Sequence, residues 1–278
     1  MNSSFAVIPF VKASACGNDF LIVDGEHAPH DPAEITRKLC DRHHGIGADG
    51  VEWLFPDQVA DTYARLFNAD GSEAEISGNG TRCVAAYLFS EERGSQSPEQ
   101  EVVIRTGAGL KTCVLTAHND TRYEFETAMG EPQVSGEVSV ALASRQVRAI
   151  SVSVGNPHLV IFVDAFNSSW QNEAAEIARH AGFPQGVNIE FVKIQDEHNL
   201  EVRFFERGVG ETQSSGTGSC ASAVAAIFAS RATSPVRVHA PGGAQVVRWE
   251  RQVFLRGPAQ LICRGEYFLA RMDMEGHS

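Results

Sequence analysis

Short apolar runs separated by polar and glycine-rich breaks dominate the chain. Phe20 to Val23, Tyr63 to Phe67, Glu101 to Arg105, Val147 to Val154, Leu159 to Val163, Val202 to Phe205 and Val253 to Arg256 are rich in Val, Ile and Phe and read as strands. Four stretches read as helices instead. Two are peripheral: Pro32 to His43, with Asp31 as N-cap and Pro32 in the first turn, and Ser169 to Ala181. The other two, Cys83 to Phe89 and Ala221 to Ala229, are apolar on nearly all sides, with Ser222 the only polar residue in the second. A helix of that kind must be buried on nearly all sides. Each follows a glycine-rich loop, so the pattern predicts a curled sheet around one central helix whose N-terminus lies at that loop.

The pattern also repeats. Gly17-Asn18, the run Phe20 to Val23 and Asp24 are echoed by Gly155-Asn156, the run Leu159 to Val163 and Asp164. Ser77-Gly78-Asn79-Gly80 leading into Cys83-Val84-Ala85-Ala86 is echoed by Ser215-Gly216-Thr217-Gly218 leading into Cys220 to Ala226, and Phe67-Asn68 by Phe205-Glu206. All three pairs keep one offset of 138 residues, as in Asn18 to Asn156 and Ser77 to Ser215. A repeat of nearly half the chain is too long and too few-fold for a solenoid, and predicts two similar domains.

Length agrees, since 278 residues at ~150 per domain suggest two domains. With 43% hydrophobic and 21% charged residues the composition is that of a folded globular protein. The net charge of -12, with no compensating Lys/Arg cluster, argues against nucleic acid and anionic membrane as partners. Six scattered cysteines without a C-x-x-C pair point to reduced thiols and a cytoplasmic location. Phe5 to Val11 followed by Ala13-Ser14-Ala15 imitates a signal peptide, but the run is short and no basic residue precedes it. No apolar run approaches the ~18 residues of a membrane span.

Gly45-Ile46-Gly47-Ala48-Asp49-Gly50 matches a dinucleotide fingerprint in spelling only, because a helix precedes it and a strand follows. There is no Gly-Lys pair for a phosphate loop and no histidine spacing for a metal; His43-His44 at a helix end suit capping better than coordination. The repeated loops carry more chemistry. Backbone N-H groups and the positive dipole end at a helix N-terminus favour a carboxylate. Two such ends aimed at one cleft between the domains would hold a small anion, with Ser77 and Ser215 meeting it from opposite sides. Inversion of a stereocentre requires that arrangement, since the proton leaves one face and returns on the other.

At these residues the chain resembles the diaminopimelate epimerase family, along nearly its whole length. The motifs are Gly17-Asn18-Asp19-Phe20, Phe67-Asn68-Ala69-Asp70-Gly71-Ser72, Ser77-Gly78-Asn79-Gly80-Thr81-Arg82-Cys83, Gly155-Asn156-Pro157-His158, and Glu206-Arg207-Gly208-Val209-Gly210-Glu211-Thr212 through Cys220. The resemblance implies an α+β fold of two pseudo-symmetric domains, each a mostly antiparallel β-barrel around a central helix. Their expected bounds are 1–118, completed by the C-terminal strand 264–278, and 119–263. It implies a homodimer and an isomerase of lysine biosynthesis that interconverts LL- and meso-diaminopimelate without pyridoxal phosphate, other cofactor or metal. Asn18, Asn68, Asn156 and Asn188 would bind the amino-acid substrate's polar groups, and Glu206 and Arg207 would also line the site, the guanidinium suiting a carboxylate. Gly78, Asn79, Gly216 and Thr217 would offer backbone N-H groups to the α-carboxylate. His158 and Glu206 would tune the acid and base.

The departure lies at the reacting groups. The family carries cysteine where this chain has Ser77 and Ser215, and Cys83 and Cys220 belong to the helices that follow. A thiol with pKa ~8.5 is partly ionised near neutrality, whereas a hydroxyl ionises several units higher at about 1.4 kcal/mol each. An inactive or attenuated epimerase is expected. Two origins fit, a Cys→Ser replacement or a natural serine-bearing member. Two other functions fit the same motifs: a non-catalytic binder of a diamino dicarboxylate, and a different isomerase or dehydratase on this fold.

Overall fold

The computed structural model describes residues 5–29, 31–91 and 100–270. The chain forms two compact units, Met1–Glu126 with Pro258–Ser278, and Thr127–Gly257. It crosses from one to the other inside the uninterrupted strands Arg122–Gly130 and Val253–Ala270, several residues from the bounds read from sequence. No turn or linker residue marks either crossing.

In the first unit, helix α1 (Pro32–Cys40) packs on the outer face of the sheet and helix α2 (Gly78–Ser90) fills its inside. Strand Asn18–Asp24 shows why its apolar run is unbroken. Leu21 and Val23 pack with Ile35 and Leu39 of α1, while Phe20 and Ile22 pack with Cys83, Val84 and Tyr87 of α2. Both faces of the strand are covered, so neither face of the pattern is polar. α1 serves as the crossover between that strand and its parallel neighbour Gly50–Phe55, and α2 joins the parallel strands Thr62–Asn68 and Glu101–Thr106. The other mapped ladders of the unit are antiparallel, including Phe5–Ser14 against Gln260–Ala270.

The second unit repeats the plan. Helix α3 (Trp170–Ala178) covers Leu159, Ile161, Ile189 and Phe191, and helix α4 (Gly216–Phe228) is wrapped by Val160, Val192, Val202 and Phe204. Strand Pro157–Phe162 runs parallel to Asn188–Asp196 across the α3 connection. The α+β class, the pseudo-symmetric halves and the central helices are as the sequence implied. Among the described residues no helix is long and apolar enough to cross a membrane.

Helix ends differ from the sequence reading for local reasons. The carboxylate of Asp31 accepts the N-H of Ala33 and caps α1 as expected. α1 stops at Cys40 and not at His43, because Asp41 turns away from helical geometry and its carboxylate accepts the N-H groups of His43 and His44 at 2.7 Å each. The histidine side chains do not cap the helix; its last carbonyls, of Leu39 and Cys40, accept the backbone N-H groups of Ile46, Gly47 and Ala48. α3 is shorter than Ser169 to Ala181 at both ends. α2 and α4 begin earlier than Cys83 and Ala221, because the glycine loops are themselves the first helical turns.

Candidate functional site

Each unit carries a polar cluster at the N-terminus of its central helix. Ser77 is the N-cap of α2, its hydroxyl accepting the Gly80 N-H at 3.1 Å. Ser215 is the N-cap of α4 in the same way, with Gly218 N-H at 3.2 Å. Each hydroxyl spends a lone pair on the helix and keeps its own hydrogen to donate. Gly78 and Asn79, and Gly216 and Thr217, are the first two residues of their helices, where N-H groups have no intrahelical acceptor.

In the first unit the cluster is built from amides and a guanidinium. Asn79 Nδ2 donates to Asn18 Oδ1 at 2.7 Å, Asn18 Nδ2 donates to Asp49 Oδ2 at 2.9 Å, and the buried Arg82 donates to Asn79 Oδ1 and, through Nε, to the Pro258 carbonyl at 3.2 Å. These bonds fix the Asn79 side chain beside the helix start. Arg42 anchors the loop behind it, donating to Asp19 and Asp49. Burial works to raise the Asp19 carboxyl, but hydrogen bonds from Arg42 and Lys12 outweigh it and hold it below the ordinary range. The Gly45 to Gly50 loop is thus a braced turn. Asn68 ends strand Thr62–Asn68, exposed, with Nδ2 donating to Ser72 Oγ at 3.0 Å.

In the second unit the cluster is built around an imidazole. His158 is fully buried, with Nδ1 2.7 Å from Glu190 Oε1 and Nε2 2.8 Å from Asn156 Oδ1. The amide oxygen only accepts, so Nε2 carries a hydrogen and a second hydrogen is shared between Nδ1 and the carboxyl. Asn156 Nδ2 in turn approaches Thr217 Oγ1 at 3.4 Å, tying the pair to the start of α4. The Asn188 side chain donates to the Pro157 carbonyl at 3.0 Å and accepts the Arg207 backbone N-H at 3.0 Å. Glu206 and Arg207 follow at the end of strand Asn199–Glu206; the exposed guanidinium donates to the Gln185 carbonyl at 3.0 Å.

Two residues that sequence reasoning passed over lie inside these clusters. Glu52 and Glu190 are buried in their units, each on a strand lining the central helix. Burial pushes the Glu52 carboxyl up to about 8. Burial also raises Glu190, helped by the charge of Glu206 and opposed by His158. The signal was available: the two glutamates share the 138-residue offset, and each is the one charged residue in its apolar run, Val51 to Phe55 and Ile189 to Val192. Among the described residues no group of three or more His, Cys, Asp or Glu side chains is placed to hold a metal ion.

The family model for diaminopimelate epimerase matches residues 10–135 and 150–262. A diaminopimelate epimerase from Caldanaerobacter subterraneus subsp. tengcongensis is 38% identical over 273 residues, covering 92% of this chain and 98% of the relative. One from Methanococcus maripaludis is 32% identical over 275 residues, covering 92% and 98%. Among solved structures, a PhzF-family phenazine biosynthesis protein from Bacillus anthracis superposes with a TM-score of 0.69 at 16% identity, covering 94% of this chain and 99% of that one. A hydroxyproline epimerase from Agrobacterium vitis, with trans-4-hydroxy-L-proline bound, also gives 0.69 at 16% identity, covering 97% and 93%. At that identity the structures share the fold.

Proposed function

Because the chain belongs to the diaminopimelate epimerase family, we propose that it is an isomerase of the diaminopimelate type, attenuated by serine at both reacting positions. One α-carbon is served by both serines: one hydroxyl oxygen takes the α-proton while the other returns a proton to the opposite face. The backbone N-H groups at the starts of α2 and α4 take the α-carboxylate and the charge that develops beside the carbanion. Arg207 takes the distal carboxylate, and Asn18, Asn68, Asn156 and Asn188 bind the remaining polar groups. His158 and Glu206 set the protonation state on the second side. The resemblance also supports a homodimer in the cytoplasm, working without pyridoxal phosphate.

The observation that carries this reading is the duplicated start of the central helix. The same Ser-Gly-x-Gly turn, N-cap bond and register occur in both units. Tight-turn geometry alone accounts for one such loop, but not for a matched pair in which polar clusters converge on both. Incubation with LL-diaminopimelate in D2O tests it. Slow deuterium entry at one α-carbon, with meso product, supports the reading. Calorimetric binding without deuterium entry makes the protein a binder of diamino dicarboxylates, and absence of binding overturns the reading altogether.

A further inference from the structure

A carboxyl group inside an apolar barrel is costly and calls for a reason. Glu52 and Glu190 occupy matching places. Glu52 pairs across the sheet with Ile22 and Leu66, and Glu190 with Val160 and Phe204, all four of them core residues around the central helix. Each glutamate therefore takes an inward position that its neighbours fill with hydrocarbon.

Both carboxyls reach the first turn of the helix. A methyl group on Gly80 would lie 2.2 Å from Glu52 Oε1, and one on Gly218 would lie 2.9 Å from Glu190 Oε1. The second glycine of each loop is thus what admits the carboxyl. The same two glycines donate their N-H to Ser77 and Ser215, so carboxyl and hydroxyl flank one residue in each unit. Glu190 Oε2 is buried without a hydrogen-bond partner. Glu52 has Phe20 where Glu190 has His158, at the 138-residue offset.

We propose that Glu52 and Glu190 are positioning residues for proton transfer, buried carboxyls that accept and return protons through the hydroxyls of Ser77 and Ser215. The proposal rests on the epimerase reading above. In one direction the Cα–H bond breaks and its proton bonds to Ser77 Oγ, while the hydroxyl's own proton passes to the ionised Glu52 and the electron pair stays on Cα. On the other face Ser215 gives its hydroxyl proton to Cα and takes one from the protonated Glu190. No oxidant or further reactant is needed. Each turnover leaves Glu52 protonated and Glu190 ionised, the state that serves the reverse reaction. The transfer calls for rotation of the serine hydroxyl toward the carboxyl, or for one bridging water.

The surroundings suit the two roles. Glu52 faces the Cys83 thiol of α2, which Arg82, Cys16 and Asp19 also face. Around Glu190 they are His158 and Glu206. Glu52, held up by burial, becomes a base only as pH approaches about 8, whereas the hydrogen shared between Glu190 and His158 keeps a proton available on the second side.

Deuterium uptake into diaminopimelate is measured across pH 6–10 for the Ser/Ser chain and for the double variant with Ser77→Cys and Ser215→Cys, each with and without Glu52→Gln or Glu190→Gln. A thiol ionises by itself and depends less on a carboxyl behind it. Glu52→Gln is expected to lower uptake by the Ser/Ser chain about 100-fold and to remove its rise near pH 8. The loss in the Cys/Cys chain should be at least tenfold smaller, roughly, and Glu52→Asp should recover part of the Ser/Ser rate. Circular dichroism and binding of diaminopimelate confirm that each variant is folded. Equal losses in both backgrounds would show a structural role and overturn the proposal, as would no loss in either or no uptake by the Ser/Ser chain while the Cys/Cys chain epimerises. A folded Cys/Cys chain that neither binds nor exchanges diaminopimelate overturns the epimerase reading itself.

Discussion

The two units build the same helix start with different supports. In the first, Asn18, Asn79 and Arg82 brace the turn and Glu52 stands among apolar neighbours; in the second, a chain from Thr217 through Asn156 and His158 ends on Glu190. The frame is duplicated, and the proton wiring is not. Inversion asks for this asymmetry, because one side must begin as base while the other begins as acid. Duplication supplies two like helix starts, and divergence at positions such as Phe20 and His158 supplies the difference between their surroundings.

The largest expected effect comes from restoring thiols. Ser77→Cys with Ser215→Cys should raise LL-to-meso conversion by roughly 10²- to 10⁴-fold, measured by product chirality, with each single change giving far less. Fast conversion by the unmodified chain would instead mean that the units' own groups make a hydroxyl fully competent.

The burial of Glu52 also predicts a pH dependence of stability. The Glu52 carboxyl is raised from 4.5 to about 8 in the folded chain, so between those values the native state holds a proton that the unfolded state has lost. Stability from this group is present below the unfolded value and declines as pH rises through the window, on the order of 1 kcal/mol per unit. Glu52→Gln should flatten that decline in urea midpoints taken from pH 5 to 9 with the denaturant slope unchanged. A parallel decline in the variant would assign it to other groups.

Arg207→Ala sharpens the comparison on the ligand side, since the helix starts are duplicated and Arg207 has no basic counterpart at position 69. Loss of a charge-assisted bond worth about 1.5–3 kcal/mol should weaken diaminopimelate binding roughly 10- to 100-fold and leave a monocarboxylic analogue nearly unaffected by calorimetry. Equal losses would place Arg207 on the α-carboxylate. The smallest effect concerns the caps. Ser77→Ala and Ser215→Ala should each cost about 1 kcal/mol of unfolding free energy, nearly alike in the two units; a much larger cost in one would show that its serine carries structural bonds beyond the cap.

Much of this was legible in the sequence. The apolar helices could only be central, and the shared offset of Ser77 and Ser215 marks the loops at which they start. What escaped were features set by side-chain competition at a helix end and by long-range contact. The end of α1 depends on Asp41 accepting two following N-H groups, which competes with helix continuation where composition favours it. Glu52 and Glu190 were not singled out, because their burial depends on the strands and central helix that close around them. Arg82 is buried and donates to the Pro258 carbonyl, 176 residues away, a contact that no local pattern carries.

The proposed epimerisation requires Ser77 and Ser215 to act on opposite faces of one α-carbon. Two single-thiol variants test it most directly, Ser77→Cys alone and Ser215→Cys alone, each incubated in D2O with LL- and with meso-diaminopimelate and followed by proton NMR. One lone thiol should wash deuterium into the LL isomer and the other into the D-centre of the meso isomer, each with retention and little epimer formed. If both variants exchange the same isomer, the two positions share a face, and the account is contradicted.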